Sequence, residues 1–293
     1  MYTSTAHQFQ SQPHVERGEY RIAERIGMGA AGTVYRVIHN KRGEAFAMKV
    51  LKEHVRRMDC TSLRRFMREC RAMSKIHHPN VVQLVETGML PSGAPYMIMR
   101  LLRGNTLRDV MRNRPLPVAY AVQTVRAIAT ALIHVHDAGV VHRDLSPGNV
   151  FMHEQEGDRR PTIIDFGNAL VNDVDMMDIP DGTPGILIGT PRYMSPEQIR
   201  GETIDARADL YSLGAMFFEL LDGEPPFDGY NARDILLDHL SEPPPKIESP
   251  YAIDPEVEHI VMRCLEKDPD DRYQTAMELV ADLDYVWDNV LAR

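Results

Sequence analysis

Apolar and polar residues alternate through "YRIAERIG" and "TVYRVIHN", and a third such run follows the turn in "NKRGEAFAMKVL". A period of two marks half-buried β-strands. The period then changes. In "TSLRRFMRECRAMSKI", Leu63, Phe66, Met67, Cys70, Met73 and Ile76 recur every three or four positions, which predicts a helix with one buried stripe. "HHPN" ends it, because the residue before a proline disfavours helix. Two more strands are read in "VVQLVETG" and "PYMIMRLL", joined over a Pro-Ser-Gly turn.

After Gly104 the pattern is helical. "LPVAYAVQTVRAIATALIHVHDAG" is long and amphipathic and stops at Gly139. "ADLYSLGAMFFELLDG" is apolar nearly all round, as a helix at the centre of a helical lobe is. "DPEVEHIVMRCLEKD" and "DRYQTAMELVADLDYVWDNVL" are amphipathic again, with proline-rich loops between. The expected fold class is α+β. Its parts are a polar leader over 1–18, a small β-rich lobe with one helix over 19–99, a connector over 100–104 and a larger, mainly helical lobe over 105–293. A cleft between lobes is the natural ligand site.

Composition narrows the classes. With 43% hydrophobic and 26% charged residues the chain is neither disordered nor membranous in type. No apolar run approaches the ~18 residues of a membrane span, and the N-terminus lacks the apolar core of a secretory signal. A net charge of −9 argues against nucleic acid as partner. Three cysteines without close spacing fit reduced thiols and a cytoplasmic setting. The twelve histidines lack zinc-type spacing and read as core or turn residues.

Candidate chemistry comes from ordered short motifs. In "IGMGAAGTVY", Gly27, Gly29 and Gly32 let the backbone approach phosphate oxygens. A dinucleotide-binding fold needs a helix directly after such glycines, and here a strand follows. Lys49 sits on the third strand and Glu69 on the helix after it, where a carboxylate can aim an ammonium at phosphates. In "VHRDLSPGNVF", Asp144 can orient a hydroxyl and take its proton, and the amide oxygen of Asn149 can ligate a metal. Asp165 opens "DFG" at a strand end, a place from which a carboxylate bridges metal and phosphates.

In this order the pieces "GMGAAGTV", "AMKV", Glu69, "HRDLSPGN", "DFG", "GTPRYMSPE", "DARADLYSLG" and Arg272 in "DPDDRY" resemble a eukaryotic-type protein kinase catalytic domain, similar to bacterial serine/threonine kinases. The resemblance covers about residues 19–288. It implies the bilobal kinase fold and an ATP- and Mg2+-dependent serine/threonine kinase, with Mn2+ as an alternative metal. By it, Ile26, Gly27, Met28, Gly29 and Gly32 cover the nucleotide, and Lys49 contacts the α/β-phosphates and pairs with Glu69. Val34, Ala47, Leu107 and Phe151 sandwich adenine, and the backbone near Met99, Arg100 and Leu102 bonds its edge. Asp144 orients the hydroxyl with Thr190 beside it, while Asn149 and Asp165 hold the metal ions. Asp209 braces the catalytic loop, Glu197 pairs with Arg272, and Met73, Leu84, His142 and Phe166 stack as an internal spine. Arg143 grips an activation-loop phosphate, for which Thr183 is the candidate site. The partners implied are protein substrates and a second copy for trans-autophosphorylation. No nucleic acid and no membrane segment are expected, and the setting is cytoplasmic, or the cytoplasmic part of a longer membrane-anchored protein.

Two positions depart from the pattern. Ser146 stands where such kinases carry a lysine that contacts the γ-phosphate, and Gly148 supplies no cation either. A charge at ~4 Å and an effective dielectric of ~20 is worth at most about 4 kcal/mol, and losing one preorganised donor costs roughly 10²- to 10³-fold in rate. Ser146 therefore leaves a second reading, a pseudokinase or weakly active nucleotide-binding scaffold, with Arg192 as a candidate substitute cation. Arg100 and Asn168 are further departures, expected to have little effect.

Overall fold

A computed structural model of the 293-residue chain describes residues 19–29, 32–52, 60–155, 157–171 and 189–291. It divides into two compact units, Met1–Cys60 with Val85–Leu101, and Thr61–Leu84 with Leu102–Arg293. The division cuts through the 19–99 segment, since most of the first helix groups with the larger unit.

The smaller unit is built on β1 (Tyr20–Met28), β2 (Gly32–His39), β3 (Ala45–Leu51), β4 (Leu84–Met89) and β5 (Pro95–Arg100), in the sheet order β1-β2-β3-β5-β4. Because side chains alternate between faces, Met48 and Val50 of β3 join Tyr20, Val37, Leu90, Ala94 and Ile98 in one apolar cluster. Ala47 and Lys49 then belong to the opposite face. The hydroxyls of Tyr20 and Tyr96 both donate to the Glu86 carboxylate, at 3.3 and 3.1 Å. Burial, followed by the Glu86 charge, pushes the Tyr20 phenol up to about 12.

The larger unit contains α1 (Cys60–Lys75), β6 (Gly104–Thr106), α2 (Leu107–Met111), α3 (Val118–Asp137), β7 (Val140–Val141), β8 (Val150–Gln155), β9 (Asp158–Ile163), β10 (Leu170–Val171), α4 (Pro196–Arg200), α5 (Arg207–Asp222), α6 (Ala232–Ser241), α7 (Pro255–Cys264) and α8 (Ala276–Val286). At its centre is α5, in which every residue from 208 to 221 is buried. Both α3 and α7 pack on α5, and α8 packs on both of them. By length and composition α3 is apolar enough to cross a membrane, yet 56% of its apolar window is buried inside the protein.

Some elements are absent from the sequence reading. Of the sheet β6-β8-β9 and the two-stranded ladder β7-β10, only the strand end before Asp165, at Ile163 of β9, is expected from the sequence, and the rest falls in stretches read as helices and loops. Short strands of two to six residues carry too little period to register. Helices α2, α4 and α6 were likewise unread. On α1 the buried stripe holds Phe66, Cys70 and Met73, but Met67 is 46% exposed, and Glu69 is buried instead. The strand read in "VVQLVETG" starts only at Leu84, because Val81 makes an isolated parallel bridge to Ile163. In the last segment the helix starts at Ala276, where Thr275 accepts from the Glu278 N–H and caps it.

Candidate active site

The smaller unit carries a glycine turn and an open sheet face. Between β1 and β2 the Gly29 N–H donates to the Gly32 carbonyl at 2.9 Å, and Lys52 Nζ donates to the Gly29 carbonyl at 2.6 Å. A Cβ on Gly32 would lie 2.9 Å from the Val50 carbonyl oxygen, so the turn approaches β3 only because Gly32 has no side chain. Ile26 and Met28, toward the end of β1, are exposed, and Gly27 pairs with Val34 across the ladder. On β3, Lys49 lies opposite Val34 on one side and Met97 on the other, while Ala47 lies opposite Met99. Register and alternation thus gather Val34, Ala47, Lys49 and Met99 on the face away from the apolar cluster. Arg100 ends β5 and is exposed.

The catalytic-loop residues belong to the larger unit and hang from a buried carboxylate. Asp209, fully buried on α5, accepts from the His142 N–H at 2.8 Å, the Arg143 N–H at 2.8 Å and His136 Nε2 at 2.9 Å. Burial alone would raise its pKa, but these bonds and the histidines beside it outweigh burial and hold it below the ordinary value. Arg143 takes φ 63°, a left-handed conformation that non-glycine residues avoid, and the Asp209 anchor supports it. His142 meets Phe166 edge-on at 4.8 Å between centroids, and both are fully buried. Met73 is buried as well, and Leu84 is half-buried.

Asp144 is half-buried and held at both oxygens. Thr190 Oγ1 donates to Oδ1 at 2.8 Å, while Asn168 Nδ2 and Asn149 Nδ2 donate to Oδ2 at 3.1 and 3.2 Å. Asn149 Nδ2 also donates to the Asp144 carbonyl at 2.8 Å. With that nitrogen committed, the Asn149 amide oxygen is the atom left to ligate a metal. The Ile164 N–H donates to the Asn149 carbonyl at 2.9 Å, so Asp165, the next residue, emerges beside Asn149 at one end of the β8-β9 hairpin. Asp165 is exposed, adopts φ 63°, and accepts from the Gly167 N–H at 3.1 Å. A Cβ on Gly167 would lie 3.0 Å from Asp165 Oδ1 and 3.7 Å from Glu69 Oε2, which places the buried Glu69 against the same turn. Oxygen donors of this kind suit Mg2+, which takes one or two protein oxygens and completes its shell with water and phosphate. No cluster of three or more His, Cys, Asp or Glu side chains exists among the described residues.

The sequence reading missed Asn168, treated there as a tolerated departure. It fixes Asp144 directly, and its carbonyl accepts from Arg143 Nε at 2.7 Å. Arg192, the candidate substitute cation, is corrected by the structure: its NH2 bonds both oxygens of Asp228, at 2.8 and 3.0 Å. Gln198 on α4 also escaped notice, and its Nε2 donates to the Arg143 carbonyl at 2.8 Å. Only folding brings these partners to the loop. Thr183 lies outside the described residues. Below the site, Glu197 and Arg272 form a two-bond fork at 2.8 and 2.9 Å, with side chains 4% and 0% exposed. Also in the larger unit, β6 carries Thr106 opposite Phe151 of β8, beside the buried Leu107, while Leu102 is half-buried.

Residues 20–283 match the family model described as "Protein kinase domain". The chain belongs to the protein kinase family. It is similar to the serine/threonine-protein kinase Pkn1 of Myxococcus xanthus, 38% identical across 88% of this chain and 37% of that protein. Pkn3 of the same organism is 35% identical across 92% of this chain and 50% of its own length. PknB of Mycobacterium leprae is 34% identical across 92% and 43%. The chain thus spans half or less of each of these relatives.

Proposed function

We propose that this kinase transfers the γ-phosphoryl group of ATP to serine and threonine hydroxyls of proteins, using Mg2+ or Mn2+. The observation that carries the reading is Asp144, an acceptor-only carboxylate fixed by Thr190, Asn149 and Asn168 with lone pairs left for an incoming hydroxyl. Asp144 orients that hydroxyl and takes its proton as the bond from its oxygen to the γ-phosphorus forms and the bond from phosphorus to the β–γ bridging oxygen breaks, releasing ADP. Lys49 binds the α/β-phosphates, and the glycine turn covers them. Val34, Ala47, Leu107 and Phe151 take the adenine. A divalent ion, when bound, neutralises charge on the transferred group, and the Asn149 amide oxygen with the Asp165 carboxylate would hold it. Asp144 and Thr190 set up the acceptor, and Arg143 with Thr183 serves regulation through trans-autophosphorylation by a second copy. The reduced thiols and the ATP requirement support a cytoplasmic setting.

The test is phosphosite mapping by mass spectrometry after incubation with Mg·ATP, for the protein as it stands, Lys49→Met and Asp144→Asn. The expected result is phosphorylated Ser or Thr in the first alone. Equal incorporation in all three refutes the proposal.

A further inference from the structure

Beside the catalytic loop lies a cation with no assigned task. Helix α2 is capped by Thr106, whose hydroxyl accepts from the Asp109 N–H while the Asp109 carboxylate accepts from the Thr106 N–H. This capping box fixes where α2 starts, and so where Arg108 points. The same helix packs on the 3-10 turn Pro147–Asn149. A Cβ added to Gly148 would lie 3.7 Å from Arg108 Nε, 3.8 Å from Arg108 NH2 and 3.8 Å from Ser146 Oγ. The guanidinium therefore lies along the loop that carries Asp144 and Asn149, in space that a larger residue at 148 would share.

Arg108 is exposed and makes no hydrogen bond or ion pair through its guanidinium among the described residues. The charge also reaches across the acceptor side of the site. Arg108 and Arg192 both act electrostatically on Tyr193 and Glu219, which follow Thr190 in the chain and bond to each other at 2.5 Å. Arg192 is occupied by Asp228, and the Glu219 carboxylate is buried with the Tyr193 hydroxyl. Among the described residues, Arg108 is an exposed donor beside the catalytic loop.

We propose that Arg108 is a specificity-determining residue, which selects protein substrates carrying an Asp or Glu side chain close to the acceptor hydroxyl. A polypeptide whose hydroxyl reaches Asp144 passes the Gly148–Arg108 edge, and a planar guanidinium receives a carboxylate through two parallel N–H bonds. This rests on the protein kinase activity proposed above. It adds the chemistry of the residue read next to the acceptor.

The experiment profiles the protein, Arg108→Gln and Arg108→Glu with Mg·ATP against a Ser/Thr peptide library in which each flanking position is varied in turn. The protein itself is expected to favour Asp or Glu at one position by about tenfold in kcat/KM, the worth of one charge-assisted contact at an exposed site. Arg108→Gln should abolish that preference through peptide KM, and Arg108→Glu should invert it toward Lys and Arg at the same position. A merely structural role would not invert charge preference. A flat profile for the protein, or a profile unchanged in Arg108→Glu, overturns the assignment. Should no peptide be phosphorylated, the proposed activity itself fails. Fluorescence anisotropy with acid-containing and neutral peptides then decides the Arg108 assignment, because equal binding of the two refutes it.

Discussion

Asp209 holds the backbone of the catalytic loop, and Asp209→Asn isolates that role with almost no change in size. The carboxylate accepts two bonds at Oδ2, from His136 and the His142 N–H, and one at Oδ1, from the Arg143 N–H. An asparagine presents an acceptor to one side only, and its NH2 group confronts a donor on the other. Hydrogen bonds to a charged group are worth about 1.5–3 kcal/mol each, and removing one partner from a buried charged network costs about 3–5 kcal/mol. For a fold of this size that lowers the melting temperature by something on the order of 5 to 8 °C. Since Arg143 is held at φ 63° through one of these bonds, the adjacent Asp144 should lose its orientation as well. Thermal and urea unfolding give the stability loss, and peptide phosphorylation gives the rate, expected to fall at least about tenfold for one lost bond to the loop. The pH dependence has a fixed sign. The folded-state pKa of Asp209 lies below its unfolded value. Its stabilisation is therefore complete above the unfolded carboxylate value near ~4 and disappears as pH falls through the folded value. The asparagine variant should lose that acid-limb component of the stability curve. An unchanged melting temperature together with an unchanged rate refutes the anchoring role.

Three further outcomes follow from the same geometry. Thr190→Val removes the hydroxyl donor to Asp144 Oδ1 and should lower kcat by roughly 10- to 100-fold, a charged hydrogen bond of about 1.5–3 kcal/mol; an unchanged kcat in steady-state kinetics counts against the assignment. Arg272→Met leaves Glu197 buried without its fork, and also strips the Glu266, Lys267 and Arg207 carbonyls of a donor, so urea unfolding should show a loss of about 3–5 kcal/mol. A loss below about 1 kcal/mol would mean that solvent replaces the pair. Ser146→Lys adds a cation near the transferred group. At ~4 Å and an effective dielectric of ~20 it contributes at most about 4 kcal/mol, and one preorganised donor is worth roughly 10²- to 10³-fold in turnover. No rise in a correctly folded variant shows that the absent lysine does not limit the rate.

Much of the site was legible because its chemistry sits in short contiguous stretches. "HRDLSPGN" places Asp144 and Asn149 on one tight turn, and the structure joins them through Asn149 Nδ2. What escaped were partners distant in the chain. Asn168 was read as harmless because nothing in "DFGN" shows that it faces a carboxylate 24 residues earlier. Arg192 looked available because Asp228 lies 36 residues further on. Arg108 has no local signature, since it is one exposed arginine on a five-residue helix.

Local residue pattern settles the alternation of the sheet, the stripe of α1, the buried character of α5 and the order of the catalytic motifs. Each depends on periods and residue types within a few positions. Which polar groups meet depends on the folded chain. Folding turned Met67 outward and Glu69 inward, paired β6 and β8 with the strand before Asp165, and hung the catalytic loop on Asp209. The physical reason is that a buried charge must find its donors wherever the fold brings them.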